Sequence, residues 1–129
     1  MHQNSYRILI VDNAKAIARR VELLFAEHRE TITTITLADS YAQAVQLLQH
    51  QAYQLVLLDI HLKDKSGMNL LQHIKLHYPE TIVIMFTNNA TPEYRNACLQ
   101  LGANAFLDKT TDFEILPKVV MQSLLEVYG

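Results

Sequence analysis

Cysteine is almost missing from this sequence: Cys98 stands alone among 129 residues. A disulfide framework is therefore excluded, and the thiol reads as a small apolar core side chain suited to a reducing cytosol. Runs of basic residues are missing too. With a formal net charge of -2 and no cluster of lysine and arginine, the chain carries no electrostatic footprint for nucleic acid, so direct nucleic-acid binding is not expected. No apolar stretch reaches the roughly 20 residues of a membrane helix. The segment Met1 to Ser5 enters the first apolar run without a signal-peptide core, so the expected location is the cytoplasm and no membrane partner is expected. Repeats, low-complexity segments and interdomain linkers are absent, which leaves residues 1–129 as one expected domain.

What is present is an alternation of two apolar patterns. Short, β-rich, nearly continuous runs cover Tyr6 to Val11, Ile32 to Leu37, Leu55 to Leu58, Ile82 to Phe86 and Ala105 to Leu107. Strands apolar on both faces are those of a parallel sheet covered by helices. Between them, helical spacing appears at Ile17, Val21, Leu24 and Phe25, then after Asp39-Ser40 at Tyr41, Val45 and Leu48. A third helix follows Gly67 through Leu70, Leu71 and Ile74 and stops near Pro79. The fourth opens with Thr91 as cap and Pro92 in its first turn, presents Tyr94, Cys98 and Leu101, and ends at Gly102. The last is expected to open at Thr111 or Asp112 and run through Ile115, Leu116, Val119, Val120 and Leu124, with Pro117 in its opening turns. Five βα units give one three-layer α/β domain.

Polar residues recur at one structural place: Asp12 ends the first strand, Asp59 the third, Thr87 the fourth, and Asp108-Lys109 the fifth. In an open parallel sheet with right-handed crossovers these ends share one edge, beside the point where strand order reverses. Two carboxylates gathered there repel, and the usual relief is a hard divalent cation with oxygen ligands, most often Mg2+ with a phosphate. A lysine would neutralise another face of an incoming phosphoryl group, and a threonine hydroxyl could donate to its oxygens. The set fits phosphoryl transfer to a carboxylate nucleophile. A small phosphatase or nucleotide-binding enzyme fits less well. No serine or cysteine pairs with histidine at these strand ends, and no glycine-rich phosphate loop follows the first strand.

Ile8-Leu9-Ile10-Val11-Asp12-Asn13, Leu55-Val56-Leu57-Leu58-Asp59-Ile60-His61-Leu62 with Ser66-Gly67-Met68, Ile84-Met85-Phe86-Thr87-Asn88, and Gly102-Ala103-Asn104-Ala105-Phe106-Leu107-Asp108-Lys109 stand in this order. Together they resemble the response-regulator receiver domain of two-component signalling, the chemotaxis-regulator type, over essentially the whole chain. The resemblance implies a flavodoxin-like, doubly wound (βα)5 fold with strand order 2-1-3-4-5. It makes Asp59 the phosphoacceptor, taking its phosphoryl group from a sensor histidine kinase, a phosphotransfer protein or a small phosphodonor. The implied Mg2+ site comprises Asp12, Asn13, Asp59 and the backbone carbonyl of His61. Thr87 and Lys109 would hold the phosphoryl oxygens. Phe106 would turn inward as Thr87 moves, passing the signal to an effector at the face of the fourth helix, fifth strand and fifth helix. The expected product is a phosphorylation switch and not an enzyme, a monomer or weak homodimer.

The chain departs from the family's pattern at three positions. Asn13 stands where a second acidic metal ligand is usual; it keeps an oxygen but loses a charge, so Mg2+ should bind more weakly. This feature keeps open a pseudo-receiver, an interaction module that signals without phosphorylation. Asn88 replaces a smaller residue and could narrow the way to Asp59, and Thr110 replaces the proline that usually follows the lysine, so no cis peptide is expected there. Elsewhere, His73 and His77 have the spacing of a zinc pair without an obvious third ligand, and read as polar-face residues. His61 reads equally as an exposed loop side chain or as a group that tunes access of water to the phosphoryl group. Leu99 and Met121, off their helices' inward stripes, could mark a partner surface.

Overall fold

The computed structural model describes residues 5–28, 32–88 and 90–129, without the side chain of residue 33. Five strands, β1 (Tyr6–Val11), β2 (Ile32–Ala38), β3 (Leu55–Leu58), β4 (Ile82–Thr87) and β5 (Ala105–Asp108), form one parallel sheet of order β2-β1-β3-β4-β5. The helices are α1 (Lys15–Leu24), α2 (Tyr41–His50), α3 (Gly67–His77), α4 (Pro92–Gln100) and α5 (Leu116–Tyr128), with a short 3-10 turn at Ala26–His28. The doubly wound α/β architecture and the strand order are those expected from the sequence.

Alternation along the central strands splits the core in two. Ile8, Ile10, Leu55, Leu57, Ile82, Ile84 and Phe86 point to one face, where α1 and α5 cover them through Val21, Phe25, Leu116, Val120 and Leu124. Leu9, Val11, Val56, Leu58, Val83 and Met85 point to the other, against α2, α3 and α4 through Ala44, Leu48, Leu70, Leu71, Ile74 and Cys98. Strands apolar on every residue are thus explained by helices on both sides.

Helix starts follow their caps. Ser40 accepts from the amide of Gln43, Ser66 from Met68 and Thr91 from Tyr94. Gly102 closes the α4 end with φ 104, in the left-handed region that glycine enters without cost.

The last helix differs from expectation. It begins at Leu116, not at Thr111 or Asp112, and Ile115 is 46% exposed instead of lying on the buried stripe. An earlier start would put Pro117 in the helix interior, where its ring meets the carbonyl four residues back and its missing N–H breaks the ladder. Asp112 accepts from the amide of Asp108 and shapes the β5–α5 turn. Met121 also departs from its expected place: it packs partly buried against the α1–α5 core. Leu99 is exposed, as expected.

Candidate functional site

The strand register brings the polar strand ends together. Val11 lies opposite Leu58, so the next residues, Asp12 and Asp59, emerge side by side at the C-terminal edge. Their backbones are held there: the Asp12 amide donates to the Ala38 carbonyl at 3.0 Å, and the Asp59 amide to the Val11 carbonyl at 3.0 Å. Thr87 ends β4 opposite Asp108, and the Lys109 amide donates to the Thr87 carbonyl at 3.1 Å, so the same edge carries Lys109 back toward β3.

The Lys109 ammonium reaches both acids. Its Nζ lies 2.9 Å from Asp59 Oδ2 and 2.5 Å from Asp12 Oδ2. All three are buried: 8% of Lys109, 5% of Asp12 and 7% of Asp59 remain exposed. Two carboxylates and one ammonium leave this buried cluster one negative charge in excess. Burial, the largest influence, pushes the Asp12 carboxyl above its ordinary range; hydrogen bonds from Lys109 and the Ala14 amide and the lysine's charge oppose that rise, and the Asp59 charge adds to it. Asp12 is a turn former as well, since Oδ1 accepts from the Ala14 amide at 2.8 Å.

Thr87 is fully buried at the end of β4. Asn13 and Asn88 are exposed beside the edge. Phe106 lies inside, packed on the α2–α3–α4 side of the sheet, with its carbonyl accepting from Arg95 of α4 at 3.3 Å. Asp108 acts as a turn residue, its Oδ1 accepting from the Thr110 amide at 2.7 Å. The His73 and His77 ring centroids lie 4.5 Å apart on α3 with the rings tilted by 49°, and among the described residues no group of three or more histidine, cysteine or acidic side chains that could hold a metal ion is found.

The loop after Asp59 is shaped by close backbone approach. The Gly67 amide donates to the Ile60 carbonyl at 2.6 Å, and His61 bridges Ser66. A Cβ on Gly67 would sit 1.9 Å from the Asp59 carbonyl oxygen, so only glycine lets α3 start this close to the acid's own backbone. The His61 side chain is exposed and stands edge-on to Tyr94 of α4, ring centroids 6.3 Å apart.

Sequence reasoning passed over the middle of this loop. Asp64 accepts from the amides of Tyr41 at 2.8 Å and Ala42 at 3.0 Å, the first two residues of α2. Beside it, Lys63 pairs with Asp39 at 3.0 Å, and the Lys65 ammonium lies 4.7 Å from the Tyr41 ring centre. No local signal marks such a cap, because the helix it serves starts 23 residues earlier. A cleft of about 200 Å3 opens next to Asp12, lined by Lys15 and Arg19 of α1 and by Asp39 and Gln43.

Comparison with known proteins settles the family. The model of the response regulator receiver domain matches residues 8–121. The chain belongs to the response regulator receiver family. This receiver is 31% identical over 118 residues to the response regulator protein PilR of Pseudomonas aeruginosa, covering 92% of this chain and 26% of that protein. It is 31% identical over 106 residues to the alginate biosynthesis transcriptional regulatory protein AlgB of Pseudomonas putida, covering 82% of this chain and 23% of that one. Among solved structures, it resembles a CheY-like response regulator receiver domain protein from Methanospirillum hungatei, with TM-score 0.84, 27% identity and 94% of both chains covered. The NtrX receiver domain from Brucella abortus superposes with TM-score 0.81 at 27% identity, covering 92% of this chain and 98% of that one. The receiver spans between about a quarter and about half the length of the curated relatives it matches. It is a signalling domain of the two-component response-regulator kind, and among the described residues no helix is long and apolar enough to cross a membrane.

Proposed function

We propose that residues 1–129 form one phosphoacceptor receiver whose Asp59 takes a phosphoryl group from a sensor histidine kinase, a phosphotransfer protein or a small phosphodonor in the cytoplasm. The single observation that carries this reading is the buried Lys109 ammonium within hydrogen-bond reach of both Asp59 and Asp12. An Asp59 carboxylate oxygen bonds to phosphorus as the P–N bond to the donor imidazole, or the P–O bond to a donor carboxylate, breaks. The electron pair of the broken bond leaves with the donor. Lys109 holds one phosphoryl oxygen as charge builds on it, and the Thr87 hydroxyl donates to another. Lys15 and Arg19 add positive charge on the Asp12 side, where an anionic donor would approach.

The donor set suits Mg2+. Two buried carboxylates, the Asn13 amide oxygen and the His61 carbonyl are hard oxygens, and the excess negative charge of the cluster calls for a cation. When bound, Mg2+ would neutralise charge on the phosphoryl oxygens and orient the donor. With Phe106 already inside, phosphorylation on this reading favours one packing of the β4–α4 and β5 region over another and so alters partner binding at the α4–β5–α5 face.

Intact-mass measurement after incubation with acetyl phosphate and Mg2+ tests the proposal. Wild type should gain one phosphoryl group, removable by base, and Asp59→Ala should gain none. No gain in the wild type at any Mg2+ concentration overturns it, and leaves an interaction module that signals without phosphorylation.

A further inference from the structure

The loop that leaves Asp59 is tied to a helix on the far side of β1. Residues 61 and 63–66 are exposed, and the backbone contacts within the loop, His61 with Ser66 and Gly67 with Ile60, set its shape but not its attitude on the domain. Leu62 packs partly buried against the α2–α3–α4 core and the His61 amide donates to Asp59 Oδ1 at 3.4 Å, while contacts to α2 hold the outer part of the loop. The α2 start is a firm post: Ala44 and Leu48 are buried, and Ala38 pairs with Val11 in the sheet. Asp64 spans the first two free amides of this helix with its two carboxylate oxygens. Ser40 takes the third amide from within the β2–α2 connection.

Charge-assisted bonds at the positive end of a helix are stronger than neutral ones. Those same amides, with Ala42 first and Tyr41 next, hold the Asp64 carboxyl below the usual range, so it is ionised at neutral pH. The flanking contacts of Lys63 and Lys65 are solvent-facing and contribute less.

We propose that Asp64 is a positioning residue for the Asp59 pocket: by capping α2 from the loop that follows Asp59, it fixes the path of the backbone that presents the His61 carbonyl. The inference rests on the Mg2+-dependent reading above. A ligand carbonyl three residues from a released anchor is free to shift, and shifts of that kind in supporting groups weaken metal sites.

The test titrates Mg2+ into the metal-free protein and follows backbone amide shifts of Asp12, Asp59 and His61 by 1H–15N NMR, alongside thermal melts. Asp64→Ala should bind Mg2+ about tenfold more weakly than wild type, the lower end of what outer-shell ligands contribute. Asp64→Asn, which retains one acceptor and keeps the fold measurable, should fall between them. Ser40→Ala is the control: it removes a cap from the same helix without touching the loop, so it should lower the melting temperature and leave Mg2+ affinity unchanged. Equal affinity in wild type and Asp64→Asn and Asp64→Ala overturns the positioning role alone, as does an equal loss in Ser40→Ala. Absence of Mg2+-dependent shifts in the wild type overturns both this inference and the metal reading beneath it.

Discussion

Asp12 spends its two oxygens differently, one on the Ala14 amide that opens α1 and the other on Lys109. Its carboxyl is nevertheless held above the ordinary range, so ionisation is less favourable in the fold than in the unfolded chain. A raised folded value means that the group's contribution to stability falls as pH rises from the ordinary carboxylate range through the folded value. Asp12→Asn removes that loss, and Lys109 keeps Asp59 as partner. The metal-free variant should therefore be more stable than the wild type at neutral pH and little different near pH 4. Urea midpoints at the two pH values check this; a loss of stability at neutral pH would show that the Lys109 ion pair outweighs burial.

Between elements, the α3 side of the sheet is joined by one polar node. Lys75 of α3 donates to the Thr81 carbonyl at 2.8 Å and to Asn104 Oδ1 at 2.9 Å, and that same oxygen accepts from the Val83 amide at 2.9 Å. The node links a helix, the start of β4 and the α4–β5 turn, where the Gly102 backbone approaches the Lys75 stem. Asn104→Ala leaves the Val83 amide and the Lys75 ammonium each short of a partner, which should cost about 1–3 kcal/mol. Chemical denaturation measures the loss, and faster hydrogen exchange at Val83 would assign it to this node. Exchange unchanged at Val83 would place the loss elsewhere.

At the scale of the whole molecule, a buried cluster with excess negative charge makes stability respond to cations. Binding to the folded state alone adds about 2.7 kcal/mol at a concentration 100 times the dissociation constant. The melting temperature of the wild type should thus rise with Mg2+, and that of Asp12→Asn much less. Asn13→Asp adds a carboxylate beside the two acids, so it should lower the melting temperature without metal and reach half its Mg2+-induced rise at a several-fold lower concentration. An unchanged Mg2+ midpoint would remove Asn13 from the proposed ligand set.

Local chemistry in the chain was enough to determine the alternation of strands and helices, the caps at Ser40 and Thr91, the glycine close at Gly102 and the gathering of Asp12, Asp59, Thr87 and Lys109 on one edge, because periodicity, capping and parallel topology are short-range rules. Tertiary packing alone decided the inward seat of Phe106 and the burial of Lys109 between two acids, whereas the start of α5 at Leu116 follows from Pro117 in its first turn, a local rule the sequence already carried. Packing also decided that Asp64 caps a helix 23 residues before it, since a carboxylate in a polar loop carries no mark of which distant amides it will meet.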